Sequence, residues 1–153
     1  MEMCPSMEIR YTLRLPRDTA TVPLVRTICR DTMARLGVSS PCRSDVALAL
    51  TEACANVVKH AGGVTEYEVT VLLAPDTCHI RVVDTGQGMS AGAEEVGTMP
   101  DPYDDGGRGI ALMQQLVDRF AFHSRPEDGT VVHMEKALEL DDHSVMRELA
   151  RAY

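Results

Sequence analysis

The sequence predicts an α+β fold, a two-layer α/β sandwich in which helices cover one face of a mixed, mostly antiparallel sheet. Apolar residues alternate at two-residue steps in 7–15, 65–74 and 77–84. They recur at three- and four-residue steps in 18–36 and 40–60. The resulting order, β-α-α-β-β-loop-α-β-β, is that of helices packed on a sheet built largely of hairpins.

Residues 7–15 set Ile9, Tyr11, Leu13 and Leu15 against Glu8, Arg10, Thr12 and Arg14, a half-buried strand with one wet face. Pro16 and Asp18 punctuate it. From Asp18 to Leu36 the set Val22, Val25, Ile28, Cys29, Met33 and Leu36 makes a helix that Gly37 closes. Pro23 sits near its start, where a missing N–H costs little. A second helix runs from about Ser40, as N-cap, with Pro41 in the first position, to His60, and Gly62-Gly63 ends it. Its apolar side is Val46, Ala49, Leu50, Ala53, Cys54 and Val57.

Tyr67, Val69, Val71 and Leu73, then Cys78, Ile80 and Val82, form two strands joined by the turn Ala74-Pro75-Asp76, a hairpin. Residues 85–108 are rich in Gly, Asp, Glu and Pro and have no periodicity; so long a loop is usually functional or disordered. A helix follows from Gly109 to about Asp118, then a strand Phe120–Ser124, a turn Glu127-Asp128-Gly129, and a last strand Thr130–Leu138. One domain therefore spans 7–138, and the tail 139–153 is readable as a short helix or a frayed end.

A chain of 153 residues buries roughly 70% of its unfolded surface and needs no disulfide or metal to hold a core. Its five cysteines are scattered without a C-x-x-C pair, as expected of reduced thiols in a cytoplasmic protein. No apolar stretch reaches 18 residues and no signal peptide is visible, so a membrane location is not expected. The net charge of −8 argues against nucleic acid, whose binding rests on phosphate neutralisation by Lys and Arg. It does not prevent nucleotide binding, because a metal ion can supply positive charge locally.

Three segments carry chemistry. Glu52 and Asn56 lie four apart on one helical face, with Cβ atoms roughly 6 Å from each other. A carboxylate and an amide oxygen so placed can ligate a hard cation or position a hydroxyl and a water, although polar pairs of this kind also occur on ordinary surface helices. Asp84 closes a strand and is followed by Gly86-Gln87-Gly88. There a carboxylate can accept from an amino group while the glycines let a flat ring approach; the bland alternative is a turn aspartate. Gly106-Gly107-Arg108-Gly109 leads into the helix at Ile110, where bare N–H groups suit a phosphate chain, or simply a flexible linker.

Other sites find little support. There is no third glycine for a dinucleotide fingerprint and no Walker A loop. Cys54, His60 and Cys78 are too dispersed for zinc, no G-x-S-x-G elbow occurs, and Asp101, Asp104 and Asp105 lack EF-hand spacing.

In this order and spacing, the E-x-x-x-N helix, the D-x-G-x-G turn and the G-x-G-[IL] helix start resemble the asparagine box and two glycine boxes of the Bergerat (histidine-kinase-like) ATPase fold. The small size and strand–helix–helix beginning are most similar to the bacterial anti-sigma factor serine/threonine-protein kinases of the sporulation and general-stress type. The resemblance covers about residues 7–138.

It implies ATP and magnesium as cofactors, with Asn56 on the metal and Glu52 as catalytic base toward a protein serine. Asp84 would bind the adenine amino group, with Gly86, Gly88 and Met89 shaping the adenine pocket. Gly107, Arg108, Gly109 and Ile110 would face the phosphates under residues 89–106 as a lid, and Lys59 completes the nucleotide set. The implied partners are a sigma factor, a STAS-domain anti-anti-sigma protein and a second copy of the chain, with the exposed face of 7–15 a candidate dimer surface. The lid departs from some members in being acidic, with Arg108 the one basic residue between Arg81 and Arg119. A rival reading is a non-catalytic, nucleotide-gated interaction module that regulates transcription. A detached sensor-kinase catalytic domain is disfavoured, since 153 residues leave no room for a phospho-accepting helix pair; gyrase- and chaperone-like readings would need a transducer domain.

Overall fold

Strand alternation and helix periodicity place their apolar sides on a single interface. The computed structural model describes residues 7–60, 66–84, 105–125 and 129–152. Its elements are β1 (Ile9–Pro16), α1 (Thr21–Arg35), α2 (Ser40–His60), β2 (Glu66–Leu73), β3 (Thr77–Asp84), α3 (Asp105–Leu116), β4 (Arg119–Arg125), β5 (Gly129–Ala137) and α4 (Val145–Ala152). The five strands form one sheet in the order β1-β2-β3-β5-β4, and all four pairings among the described residues are antiparallel.

One face of the sheet carries the core. Val69, Val71, Leu73, Cys78, Ile80, Val82, Val132 and Met134 are buried on it, against Val46, Ala49, Leu50, Ala53, Cys54 and Val57 of α2. Helix α2 packs between α1 and α3, which makes it the central rod of the helical layer. Gly37 ends α1 at φ +79°, and a β-carbon there would meet Ser144 Cα at 2.6 Å.

Three helix starts differ from the sequence reading, and the first is α1, which begins at Thr21 rather than Asp18, residues 18–20 forming the turn before it. Ser40 is already helical, and Ser39 precedes it as the residue whose carbonyl accepts the first α2 bond, from Arg43 N–H at 2.9 Å. Helix α3 includes Asp105 rather than starting at Gly109, so Gly106, Gly107 and Gly109 belong to its first turns. Glycine costs backbone entropy in a helix, and burial of Ile110 and Met113 in the later turns offsets it. Gly62-Gly63, Gly86, Gly88, Met89, the lid as far as residue 104, and Glu127-Asp128 lie outside the described residues.

The segment after β5 is docked. Ser39 N–H bonds Glu139 O at 2.7 Å, Asp141 N–H bonds Gly37 O at 2.7 Å, and the buried Ser144 hydroxyl donates to Leu36 O. Met146 of α4 is fully buried.

Candidate functional site

The site stands at one end of the sheet, under the C-terminal half of α2 and beside α3. Arg17 fixes the α2 end by donating from Nε to Val58 O at 2.8 Å, which ties the β1–α1 connection to the helix. Asn56, at 5% exposure, is nearly buried two residues before that point. Glu52, one turn earlier still, is partly exposed and faces α3: a β-carbon on Gly109 would sit 3.1 Å from its Oε2. Ile110 is buried against the core next to that contact, whereas Arg108 and Lys59 are exposed.

Asp84 ends β3 with 0% exposure. A carboxylate this deep is expensive unless its environment is polar, and sheet register supplies that environment. Tyr67 pairs with Asp84 on one side, Thr130 on the other, and Ser124 is opposite Thr130. Ser124 Oγ and Thr130 Oγ1 are 3.1 Å apart, both buried; Thr21 Oγ1 and the Tyr67 hydroxyl are 2.6 Å apart. Burial pushes the Tyr67 hydroxyl up to about 12, so it stays a neutral donor.

Among the described residues the buried polar side chains are Thr21, Asn56, Asp84, Ser124, Thr130 and Ser144. Thr21, by its bond to Tyr67, and Asp84, Thr130 and Ser124, by register, share one end of the sheet. The pattern along the chain marks Asp84 but not Thr130, Ser124, Tyr67 or Thr21. Their signal was hidden, since only cross-strand register shows that these hydroxyls line up with Asp84.

Gly129 completes the strand end. It adopts φ +82°, and a β-carbon there would fall 2.2 Å from Asp84 O and 3.2 Å from Asp84 Oδ1. The backbone of β5 therefore passes against Asp84 in a way only glycine allows.

The structure thus brings Glu52 together with Gly109, and Asp84 together with a row of hydroxyls. The sequence profile described as the histidine kinase-like ATPase domain matches residues 15–136, which includes all of these positions. The chain belongs to the histidine kinase-like ATPase family. Serine-protein kinase RsbW of Listeria monocytogenes serotype 4a is 31% identical over 141 residues, covering 86% of this chain and 88% of the relative. RsbW of Halalkalibacterium halodurans is 31% identical over 140 residues, covering 85% and 84%. In fold, the chain matches the RsbU and RsbW domains of Rv1364c from Mycobacterium tuberculosis at a TM-score of 0.66 and 20% identity. That match covers 90% of this chain and 34% of the other. A histidine kinase domain from Erythrobacter litoralis matches at 0.50 and 15%, covering 81% of this chain and 62% of the other.

Kinases of this ATPase family use ATP, usually with magnesium, and the residues present fit both. Asn56 offers a hard amide oxygen, and magnesium is held by few protein ligands, with phosphates and water completing its shell. Asp84 and Thr130 offer buried acceptors and a donor of the kind that reads a purine edge. No helix among the described residues is long and apolar enough to cross a membrane.

Proposed function

We propose that this chain is an ATP- and magnesium-dependent serine/threonine-protein kinase of the anti-sigma type, which binds a sigma factor and phosphorylates a serine of a STAS-domain protein. The observation that carries the reading is Glu52 held against Gly109 of α3, with Asn56 one turn further along the same face of α2.

The roles are those that the family resemblance implies, and the positions of Glu52, Asn56 and Asp84 support them. Asp84 accepts from the adenine amino group, Thr130 stands beside it, and Gly86, Gly88 and Met89 shape the adenine pocket. Gly107 lies in the first turn of α3, where N–H groups lack intrahelical partners and the helix dipole favours anions, and it holds the phosphates together with Arg108, Gly109 and Ile110 of the following turn. Lys59 adds a cation from the end of α2. Asn56 ligates magnesium, whose chemistry when bound is to neutralise charge on the phosphates. Glu52 takes the proton of the substrate serine as its oxygen bonds to the terminal phosphorus and the bond to the ADP oxygen breaks. The domain doing this is 7–138. A second copy is expected to pair through the exposed face of β1, an arrangement that a monomeric mass at micromolar concentration would rule out.

Relatives named as serine-protein kinases support the reaction class, and the carboxylate supports it independently, since a pure binding module has no need of Glu52. The test has two arms. Calorimetry with and without Mg²⁺ on the wild type and Asp84→Asn reads the nucleotide site. Phosphate transfer from labelled ATP to candidate STAS proteins, with Glu52→Gln as control, reads catalysis. Loss of transfer with retained ATP binding in Glu52→Gln supports the kinase. Binding without transfer in the wild type, against every STAS protein of the same cell, leaves a nucleotide-gated interaction module.

A further inference from the structure

The face of the sheet turned away from the helices carries a second cluster of chemically active side chains. His79 of β3 stands directly opposite Glu135 of β5, and His133, two residues before Glu135, emerges on the same face. The two imidazole rings are stacked with centroids 6.0 Å apart and planes inclined by 17°. His79 Nδ1 lies 3.4 Å from Glu135 Oε1, and one ligating atom from each of the three residues falls within 4.8 Å of the others. All three are half-buried. Nothing in the kinase reading uses them.

We propose that His79, His133 and Glu135 form a binding site for one borderline divalent cation of the zinc class. Zinc bonds to imidazole nitrogen at about 2.0–2.1 Å and to carboxylate oxygen at about 2.0–2.2 Å, so tetrahedral ligands stand roughly 3.4 Å apart. Closing separations of up to 4.8 Å to that value needs rotation of half-exposed side chains and no movement of the strands. The platform is rigid, since β3 and β5 are inner strands of the sheet.

Two imidazoles and a carboxylate leave the fourth position to water, which the adjoining cavity of about 290 Å³ admits; Arg10, Thr70, His79, Arg81 and His133 line it. Imidazole ligands select zinc, copper or nickel over magnesium or calcium, so this site does not compete with the ATP site for its metal.

The surrounding arginines set the strength. Arg119 Nε is 3.8 Å from Glu135 Oε2; it steadies the carboxylate with Oε1 toward His79, but its charge opposes a cation. Arg10 and Arg81 at the cavity oppose it further. Binding is accordingly weaker than at closed structural sites, where no like charge stands beside the metal. Spacing along the chain does not show this cluster, since 54 residues separate His79 from His133; antiparallel register joins them.

The test uses the full-length, untagged, chelator-treated protein. Zn²⁺ titration by calorimetry should show one site, unaffected by excess Mg²⁺. His79→Ala and His133→Ala should each weaken it at least tenfold, and Glu135→Gln, which keeps the side-chain volume, several-fold. Circular dichroism checks that each variant is folded. The Co²⁺ complex should show tetrahedral absorption without the thiolate charge-transfer band that cysteine ligation gives. Unchanged Zn²⁺ affinity in folded His79→Ala and His133→Ala, no Zn²⁺ binding by the wild type, or a thiolate band removed by Cys4→Ser, would each overturn the site.

Discussion

Glu52 and Gly109 meet across the packing of α2 on α3, with Glu52 Oε2 3.1 Å from the place a β-carbon of residue 109 would occupy. The glycine is thus a spacer that fixes where a carboxylate can stand. Gly109→Ala tests this. A methyl group at that distance requires the carboxylate to move by a few tenths of an ångström or more, and Glu52 is exposed enough to do so. The fold should therefore survive, with a change in stability within about 1 kcal/mol, because alanine also favours the helix. Phosphotransfer should fall roughly 10- to 100-fold, since catalytic groups displaced by about 1 Å lose rate on that scale. Thermal melting and initial rates on the same preparation check both halves. A variant that transfers phosphate at the wild-type rate would remove Glu52 from the base role.

Gly129→Ala should behave in the opposite way. Here the neighbouring atom is backbone, the Asp84 carbonyl at 2.2 Å, which cannot swing aside. The residue also sits at φ +82°, where alanine is strained. A loss of about 2–4 kcal/mol is expected, with the β3–β5 strand end splayed and the Asp84 position lost with it. Denaturant unfolding measures the first effect, and calorimetric ATP titration at a temperature where the variant is still folded measures the second.

These two glycines show what a single sequence conveys. The helix period around Glu52 and Asn56, and the strand alternation ending at Asp84, place each segment on its element because local periodicity is a property of local residues. What periodicity cannot carry is which strands become neighbours. The order β3-β5-β4 puts Thr130 and Ser124 beside Asp84, and His133 and Glu135 beside His79, across separations of dozens of residues. The start of α3 at Asp105 is hidden in the sequence for a different reason. Gly106 and Gly107 read as loop by propensity, yet they form the first turn of a helix whose later turns are held by burial of Ile110 and Met113.

Alkaline pH should destabilise the protein through its buried protonated groups. Burial raises the Cys29 and Cys54 thiols from the ordinary 9.0 to about 12, and the Tyr67 hydroxyl from 10.0 to about 12. Cys78 and Tyr11 are shifted upward by burial as well. A pKa raised on folding means the unfolded chain releases its proton first, so stability is full below about pH 9 and falls as pH climbs toward 12. At about pH 10.5 each thiol should cost roughly 2 kcal/mol. Urea midpoints from pH 8 to 10.5 should fall steadily, and Cys54→Ala should show a shallower slope. An unchanged midpoint across that range would contradict the burial of these thiols. The same burial predicts slow alkylation of the four described cysteines in the native state.

The C-terminal helix should prove a structural clamp rather than a dispensable tail. Among the residues of α4 only Met146 is buried, at 0% exposure, while Val145 and Leu149 remain exposed. Its docking therefore rests on one apolar side chain, the Ser144 hydroxyl bond to Leu36 O at the end of α1, and the backbone bonds of Glu139 and Asp141 in the segment leading to it. Met146→Ala should cost about 2–5 kcal/mol, because the vacated volume lies between α4 and the core. Ser144→Ala should cost about 1 kcal/mol, the worth of one buried neutral hydrogen bond. Both should lower the melting temperature, by about 2–4 °C for each kcal/mol in a chain of this size. Neither residue approaches Glu52, Asn56 or Asp84, so ATP affinity well below the melting temperature should stay within about twofold of wild type. A Met146→Ala protein that melts with the wild type would show that α4 does not hold the end of α1. A drop in ATP affinity without a drop in melting temperature would show instead that α4 is coupled to the nucleotide site.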